Sequence, residues 1–595
     1  MAAPVPDESA TIREAFRRFD TNGDGIIDRP DLTRVLTTLD PSLLEGDAVD
    51  QMLDVMDANK DGKILYEEFV SWVMKDPSRK PPRLHITPKV FLPSRFEVDI
   101  HQRYDLDKLA LGEGGYGKVF IANDSKSGRK VAVKQVTKTV DRKRTDTFHT
   151  EIDIMKDLDH PCICKLLETF ETGPHIYFVM EFCSGGELFD KIIAKGYVSE
   201  ALTAEVIRQV SSALRYAHSR GICHRDIKPE NVVFCSKDEN DTRVKLIDWG
   251  LSVSFTGTVM RTAVGSFTYA APEVITSRNI TAYTEKCDLW SLGVLTYVTL
   301  CGKPPFWGSE RQHVAAAMSE RYPITGGVWP LVSAEAKQFI KSLLKAAPAE
   351  RLPIDEVNQH RWLTADVYVV SEQAQAQVLE NMKQFSNAGL FSALCSTAVA
   401  RQLDHHKLQE IHKVFREMDK NGDGYLSVDE VRQCFRKLDF DGSENYREIE
   451  DTFNSLDLDG SGVMDYTEFC AGGMGQRAAF QEDALWSAFK AFDVDNTDKV
   501  SRSELEKVLQ DADVRKAWSS EVCSAVAEKV LKRCDVDGDG QMDFAEWLTC
   551  MRESYANNVE GAGKDEKSRD EDGSKWVYDL LARINELPVT EAVAV

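Results

Sequence analysis

The sequence predicts a multidomain chain in which an α+β, two-lobed unit is flanked on both sides by small all-α domains. Three observations carry this. The chain has 595 residues, which at roughly 150 residues per domain is about four domains. Six acidic twelve-residue windows start at Asp20, Asp57, Asp419, Asp457, Asp493 and Asp535; within each set they lie 36 to 42 residues apart, a spacing that suits a helix-loop-helix unit. From about Tyr104 to Leu363 the windows stop and a different series of motifs begins.

Composition narrows the class. Hydrophobic residues at 42% and charged residues at 29% are the mix of folded, soluble domains, which excludes wholesale disorder and a collagen-like fibre. No apolar run is long enough to span a bilayer, and the start, MAAPVPDESA, lacks the basic and apolar regions of a signal peptide. Residue 2 is Ala, not the Gly of N-myristoylation, and Val593-Ala594-Val595 carries no prenylatable Cys. The expectation is an intracellular, cytoplasmic protein with no intrinsic membrane anchor. The 13 Cys form no Cys-x-x-Cys pair, so buried, reduced thiols are expected.

The formal charge of −24 argues against a nucleic-acid partner held through phosphates. The six windows hold 25 acidic and 6 basic residues and so account for most of it. Such crowding repels itself in an empty loop, and a multivalent cation is the natural counter-charge.

The cation is expected to be calcium, a hard ion that takes six to eight oxygens, here from loop positions 1, 3, 5, 7, 9 and 12, with Gly at position 6 for the sharp turn. DVDGDGQMDFAE fits throughout: Asp535, Asp537, Asp539, the Gln541 carbonyl, Asp543 and the closing Glu546. DKNGDGYLSVDE offers Asp419, Asn421, Asp423, Tyr425, Ser427 and Glu430, and DLDGSGVMDYTE offers Asp457, Asp459, Ser461, Val463, Asp465 and Glu468.

Three loops depart from the pattern. DTNGDGIIDRPD (Asp20, Asn22, Asp24, Ile26, Asp28) closes on Asp31, one methylene shorter than Glu, which weakens bidentate closure and favours drift toward magnesium. DANKDGKILYEE (Asp57, Asn59, Asp61, Lys63, Glu68) has Leu65 at position 9, where water substitutes. DVDNTDKVSRSE (Asp493, Asp495, Thr497, Lys499, Ser501, Glu504) has Asp498 in place of the position-6 Gly and is the least regular. All six have an apolar position 8 (Ile27, Ile64, Leu426, Met464, Val500, Met542), which pairs two loops through a short strand. Phe16, Phe19, Phe415, Phe453, Phe489 and Phe492 flank the loops at helical spacing as packing residues.

Between the loop sets, LGEGGYGKVF (Leu111, Gly112, Glu113, Gly114, Gly115, Tyr116, Gly117, Lys118, Val119) is a weak signal alone. Followed by KVAVKQV it becomes specific, because a glycine hairpin over a triphosphate needs a strand lysine, Lys134, for the α- and β-phosphates. Glu151 is the expected ion-pair partner of that lysine. YFVMEFCSGGELFD reads as a buried strand running into a connector, with Met180 guarding an adenine pocket and Glu181 to Cys183 as the hinge. HRDIKPEN places Asp226 to accept a hydroxyl proton, Lys228 to steady the transferring phosphoryl group and Asn231 to hold a metal ion; Asp248 of DWG is the second metal ligand. APE closes the segment at Glu273.

These motifs have the order and spacing of a protein kinase, and the chain resembles that family across Tyr104 to Leu363. The resemblance implies ATP and Mg2+ as cofactors, Ser or Thr acceptors from the lysine of HRDIKPEN, a Glu273 to Arg351 ion pair, and Asp288 bracing the catalytic loop. Glu187 and Glu230 resemble acidic residues that favour Arg upstream of the target in protein substrates. Trp249 stands where the family usually has Phe. Arg225 next to Asp226 wants an anion, yet residues 250–265 contain no Asp or Glu; phosphorylated Thr256, Thr258 or Thr262 would supply one, and a carboxylate elsewhere or water is the alternative.

A kinase followed by a junction and four EF-hands resembles the calcium-dependent protein kinases of plants and protists. The expected fold is an α+β bilobal protein-kinase fold flanked by all-α EF-hand domains. Its expected divisions are an EF-hand pair at 1–75, a Pro- and basic-rich linker at 76–103, the kinase at 104–363, a regulatory junction helix at 364–403, four EF-hands at 404–553, and a charged tail at 554–595 with a short helix at WVYDLLARINEL. The junction is amphipathic, with Leu379, Met382, Phe385, Leu390, Phe391 and Leu394 apolar. The resemblance implies that the junction and hands silence the kinase without calcium and release it when calcium-loaded hands capture the junction. A rival reading is a calcium-sensing, ATP-binding scaffold that transfers no phosphate, for which Trp249 is the hint.

Overall fold

The computed structural model describes residues 26–28, 63–65, 88–114, 117–138, 142–255, 260, 264–277, 282–364, 371–386, 390–403, 407–437, 446–474, 482–509 and 520–551. Several expectations fall outside these: Phe16 and Phe19, the ligands Asp20, Asn22, Asp24, Asp31, Asp57, Asn59, Asp61 and Glu68, the loop residues Gly115 and Tyr116, the three activation-segment threonines, and the tail. In the N-terminal pair the described residues are β1 (Ile26–Asp28) and β2 (Lys63–Leu65), antiparallel with Ile27 opposite Ile64, the position-8 pairing expected of two joined loops.

A six-stranded sheet of order β3-β7-β8-β6-β5-β4 forms the smaller lobe of the central unit. Its strands are β3 (Ser94–Phe96), β4 (Tyr104–Gly114), β5 (Gly117–Asp124), β6 (Lys130–Thr137), β7 (Leu166–Glu171) and β8 (His175–Glu181). On β6 the period of two divides the side chains: Val131 and Val133 join a core with Tyr104 and Val179, whereas Val136 packs with Phe148 and Ile152 of helix α1 (Arg142–Asp157). Lys134 shares the face of Val136, which aims it at α1. The glycine hairpin joins β4 to β5 with Gly114 opposite Gly117.

Part of the stretch assigned to a linker is built into the fold, and the reason is its embedded apolar residues. Phe91 is buried in the core of the regulatory module, β3 pairs parallel with β7, and Ile100 is buried in the sheet's core. Proline and basic residues marked this segment as extended, and they concealed a sheet strand.

The larger lobe is helical: α2 (Leu188–Lys195), α3 (Glu200–Ser219), α4 (Pro272–Ser277), α5 (Lys286–Cys301), α6 (Glu310–Met318), α7 (Ala334–Leu343), α8 (Ile354–Val357) and α9 (Arg361–Thr364). Ser199 caps α3 by accepting from the Leu202 amide. Helix α5 is buried on every face from Cys287 to Leu300, the mark of a central core helix. Short antiparallel pairs, β9 (Ile222–Cys223) with β12 (Val253–Ser254) and β10 (Val232–Phe234) with β11 (Val244–Leu246), bracket the loop carrying Asp226 and hold Asp248 beside it.

In the junction the described helical residues are α10 (Glu372–Ser386) and α11 (Leu390–Gln402). Four hands follow: α12 (Gln409–Met418) with α13 (Val428–Lys437), α14 (Tyr446–Leu456) with α15 (Tyr466–Gly473), α16 (Glu482–Phe492) with α17 (Arg502–Leu509), and α18 (Ser520–Cys534) with helical residues 544–551. Leu426 bridges Met464 across the first two loops; β13 (Lys499–Ser501) pairs with β14 (Gln541–Asp543), placing Val500 opposite Met542. Leu379, Met382, Phe385 and Leu394 share one continuous core with Phe415, Phe453, Phe489 and Phe492, so the hands hold the junction in their apolar interior. Cys534 and Cys550, on the helices entering and leaving the fourth loop with Cα atoms 5.4 Å apart, form a disulfide, a departure from the all-reduced expectation.

Candidate active site and calcium-binding loops

In the cleft, the strand, the helix and the DWG loop converge on one cation. Lys134 Nζ lies 2.6 Å from Glu151 Oε1 on α1 and 3.1 Å from Asp248 Oδ1. Burial alone would strip the charge from Lys134, but the two carboxylates outweigh it and the pKa rises. Burial likewise pushes the Asp248 carboxyl up, and the ammonium overrides it, so Asp248 stays ionised below its ordinary range. Asp248 has a φ of +63° and Arg225 one of +69°, conformations imposed by the surrounding loops.

A second network surrounds Asp226. Its Oδ2 accepts from Lys228 Nζ at 2.6 Å, its Oδ1 accepts from the Ser266 hydroxyl and amide at 2.9 Å, and Asn231 Nδ2 donates to its carbonyl at 2.7 Å. Lys228 also reaches Ser266 Oγ at 3.1 Å. The loop is braced from beneath by Asp288 on α5, which accepts from the amides of His224 (2.9 Å) and Arg225 (2.8 Å) and contacts His218 Nε2. Burial opposes its charge, but the His218 contact and these amides hold the carboxyl at about 2. Arg351 pairs with both oxygens of Glu273 at 2.6 and 2.7 Å. Both structural pairs fall where the kinase resemblance put them.

Among the described residues Arg225 hydrogen-bonds to Leu251 and Tyr283. Its Nε donates to the Leu251 carbonyl at 2.6 Å and its Nη1 to the Tyr283 hydroxyl at 3.2 Å. The three threonines expected to supply an anion lie outside the described residues. Trp249 is fully buried against His224, ring centroids 4.6 Å apart, so the larger ring is absorbed by the core. At the hinge, the Glu181 carboxylate turns inward to Lys245 Nζ (2.8 Å) and the Lys165 amide (2.8 Å); only its backbone and that of Cys183 remain for a base. Leu111 is exposed on the glycine hairpin, and a Cβ on Gly117 would stand 2.1 Å from the Gln135 carbonyl oxygen, which fixes glycine there. Glu113 and Lys118 pair across the hairpin at 3.4 Å.

The four described loops fold alike. Each closing glutamate turns both oxygens onto its own loop: Glu430 to the amides of Lys420 and Ser427, Glu468 to Leu458 and Asp465, Glu504 to Val494 and Ser501, Glu546 to Val536 and Asp543. Ligand oxygens of Asp457, Asp459 and Glu468 lie within 4.8 Å of one another, as do those of Asp493, Asp495 and Glu504, and of Asp535, Asp537 and Asp539. Burial and the neighbouring Asp423 push Asp419 up to about 7, and burial with its acidic neighbours raises Asp465 and Glu468. Carboxylates crowded this way in the Asp419 and Asp457 loops lack positive charge, so those donor sets fit a calcium ion. In the irregular loop Asn496 (φ +62°) and Asp498 (φ +64°) adopt the left-handed conformation that glycines supply in the other three.

No sequence pattern announced the contacts between the module and the kinase. Arg401 of α11 meets Asp159 at 2.8 Å, and the Thr467 amide donates to the same carboxylate at 2.9 Å. Gln402 reaches the carbonyls of Phe91 and Leu167, and Arg220 donates to the Tyr425 hydroxyl at 2.6 Å. Among the described residues, the hydrogen bonds of Asp226, Lys134, Lys228 and Asn231 are all to kinase residues.

Residues 106–363 match the protein kinase domain family, and residues 9–74, 408–472 and 482–552 each match the EF-hand domain pair. The chain is 36% identical over 465 residues to calcium-dependent protein kinase 3 of Plasmodium berghei, covering 77% of this chain and 82% of that one. It is 34% identical to calcium-dependent protein kinase 5 of Plasmodium falciparum, covering 75% and 78%, and 32% identical to calcium-dependent protein kinase 34 of Arabidopsis thaliana, covering 80% and 89%. On these matches, which span most of both chains, the chain belongs to the calcium-dependent protein kinase family.

Proposed function

We propose that the chain transfers the γ-phosphoryl group of ATP to Ser and Thr hydroxyls of protein substrates, and that calcium in its hands favours the arrangement described above. The observation that carries the reading is the Lys134, Glu151 and Asp248 cluster, assembled while the junction lies in the core of the hands. Lys134, held by two carboxylates, would grip the α- and β-phosphates of ATP. Asp226, oriented by Ser266 and Asn231, accepts the proton of the attacking hydroxyl, and Lys228 steadies the moving phosphoryl group. Asn231 and Asp248 would hold Mg2+, which supplies positive charge to the phosphate oxygens. Glu187 stands close to Asp190 and Glu230, and Glu230 Oε2 is buried without a hydrogen-bond partner. That acidic patch beside Lys228 fits an arginine upstream of the acceptor.

Radiolabelled ATP and a basic Ser-containing peptide test this in saturating calcium. Asp226→Asn should lower kcat by about 10²–10⁴-fold, the usual cost of losing a general base, with the KM for ATP little changed. Equal turnover by the variant would return the chain to the scaffold reading.

A further inference from the structure

The Asp493 hand differs from its neighbours in what surrounds it. Arg95 of β3, 1% exposed, sends its guanidinium into the C-terminal end of α16. Nη2 donates to the Lys490 carbonyl at 2.7 Å, and Nη1 donates to the carbonyls of Asp493 at 2.6 Å and Val494 at 2.9 Å. Nε is held by Glu168 at 2.7 Å, so the arginine is fixed by the sheet before it meets the hand. A guanidinium on three carbonyls at a helix C-terminus satisfies acceptors that helix geometry leaves open and meets the negative end of the dipole.

A second contact lies beside the first. Lys126, on the turn after β5, donates to Asp498 Oδ2 at 2.5 Å and sits 4.3 Å from the ring centroid of Trp486 on α16. Lys490 reaches the other Asp498 oxygen at 3.0 Å and also binds Asp493. Asp498 therefore has a polar role that the glycine usual at position six could not perform, and it accepts a left-handed φ to do so. Both lysines bring positive charge to this one loop, which disfavours a divalent cation there.

We propose that the Asp493 hand is the clasp by which the regulatory module grips the nucleotide-binding lobe, and that Asp498 is placed for Lys126 rather than for calcium. The clasp rests on the reading that calcium brings the module to this position. Its grip reaches the catalytic cation through a short route. Ser94, next to Arg95, accepts from Lys156 Nζ at 2.8 Å, and Lys156 closes α1, the helix that presents Glu151 to Lys134.

Hydrogen exchange on the full chain, in calcium and in chelator, tests it. The Thr467 amide, donated to Asp159, reports docking of the module body; segments 94–97 and 490–498 report the clasp. The wild-type chain should gain protection at both places with calcium. Lys126→Glu should lose about fivefold to tenfold of the gain at the clasp, since it turns an exposed attraction into a repulsion, and keep most of it at Thr467. Asp498→Gly restores the usual loop residue, so by equilibrium dialysis it should bind calcium at least as well while its clasp protection falls. Full clasp protection in Lys126→Glu, or an Asp498→Gly chain that tightens calcium binding and docking together, overturns the proposal. A wild-type chain with no calcium-dependent protection at Thr467 removes the parent reading, and the clasp with it. A Glu430→Gln, Glu468→Gln chain that keeps clasp protection in calcium with none at Thr467 shows a clasp independent of module docking, and overturns it as stated.

Discussion

Asp288 shows how much of the active site is held by one fully buried carboxylate. Its folded pKa of about 2 lies below the ordinary 3.8 despite burial, because His218 and two loop amides stabilise the charged form. A depressed carboxylate contributes stability at pH above its unfolded value and loses it as pH falls through the folded one. The window is therefore from about pH 4 down to about pH 2, and the amount is about 2 kcal/mol at one pKa unit per 1.36 kcal/mol. Asp288→Asn should flatten that part of a plot of melting temperature against pH; an unaltered acid limb would show that the brace carries no charge-dependent stability. At this scale the sequence was most readable. Lys134 and Glu151 meet at 2.6 Å, the pairing that their motifs implied. The contacts of Arg225 to the Leu251 carbonyl and the Tyr283 hydroxyl were not readable, because these groups carry no sequence pattern.

Among elements, the hands and junction divide the work. Position-8 residues pair the loops as predicted, since an apolar residue between two ligands has few places to go other than a short strand against its twin. Closing glutamates couple each loop to its exit helix, so ion uptake and helix position move together. Glu430→Gln with Glu468→Gln removes one charge from each of the two hands next to the junction. Half-maximal activity should then require about tenfold more calcium or beyond, the scale of differential affinity needed to shift a two-state balance; an unchanged activation midpoint would assign calcium sensing to other hands. The strand hidden near Ser94 was not legible. Local propensity could not reveal it, because the partner that makes Ser94–Phe96 a strand lies about seventy-five residues away in β7.

For the molecule as a whole, two sets of interactions meet in one arrangement. The junction helices are buried in the same core as the hands, and Arg401 and Thr467 converge on Asp159 of the kinase. The reacting groups of the cleft keep their own partners meanwhile. A calcium ion can bias such an equilibrium only if it binds this arrangement better than the silent one, and several hands acting together multiply that preference. Motif order made the domain plan readable, because each motif carries its chemistry in local spacing. The docking between domains was not, since Asp159, Arg95 and Lys126 sit in unremarkable sequence and acquire their roles only through the tertiary fold.

The most direct test is the initial rate of peptide phosphorylation by one purified preparation of the full chain, in chelator and in saturating calcium at fixed ATP. The rate should rise at least about tenfold with calcium, as expected for a switch worth 1.4 kcal/mol or more. Equal rates in the two conditions would contradict coupling between the hands and the cleft.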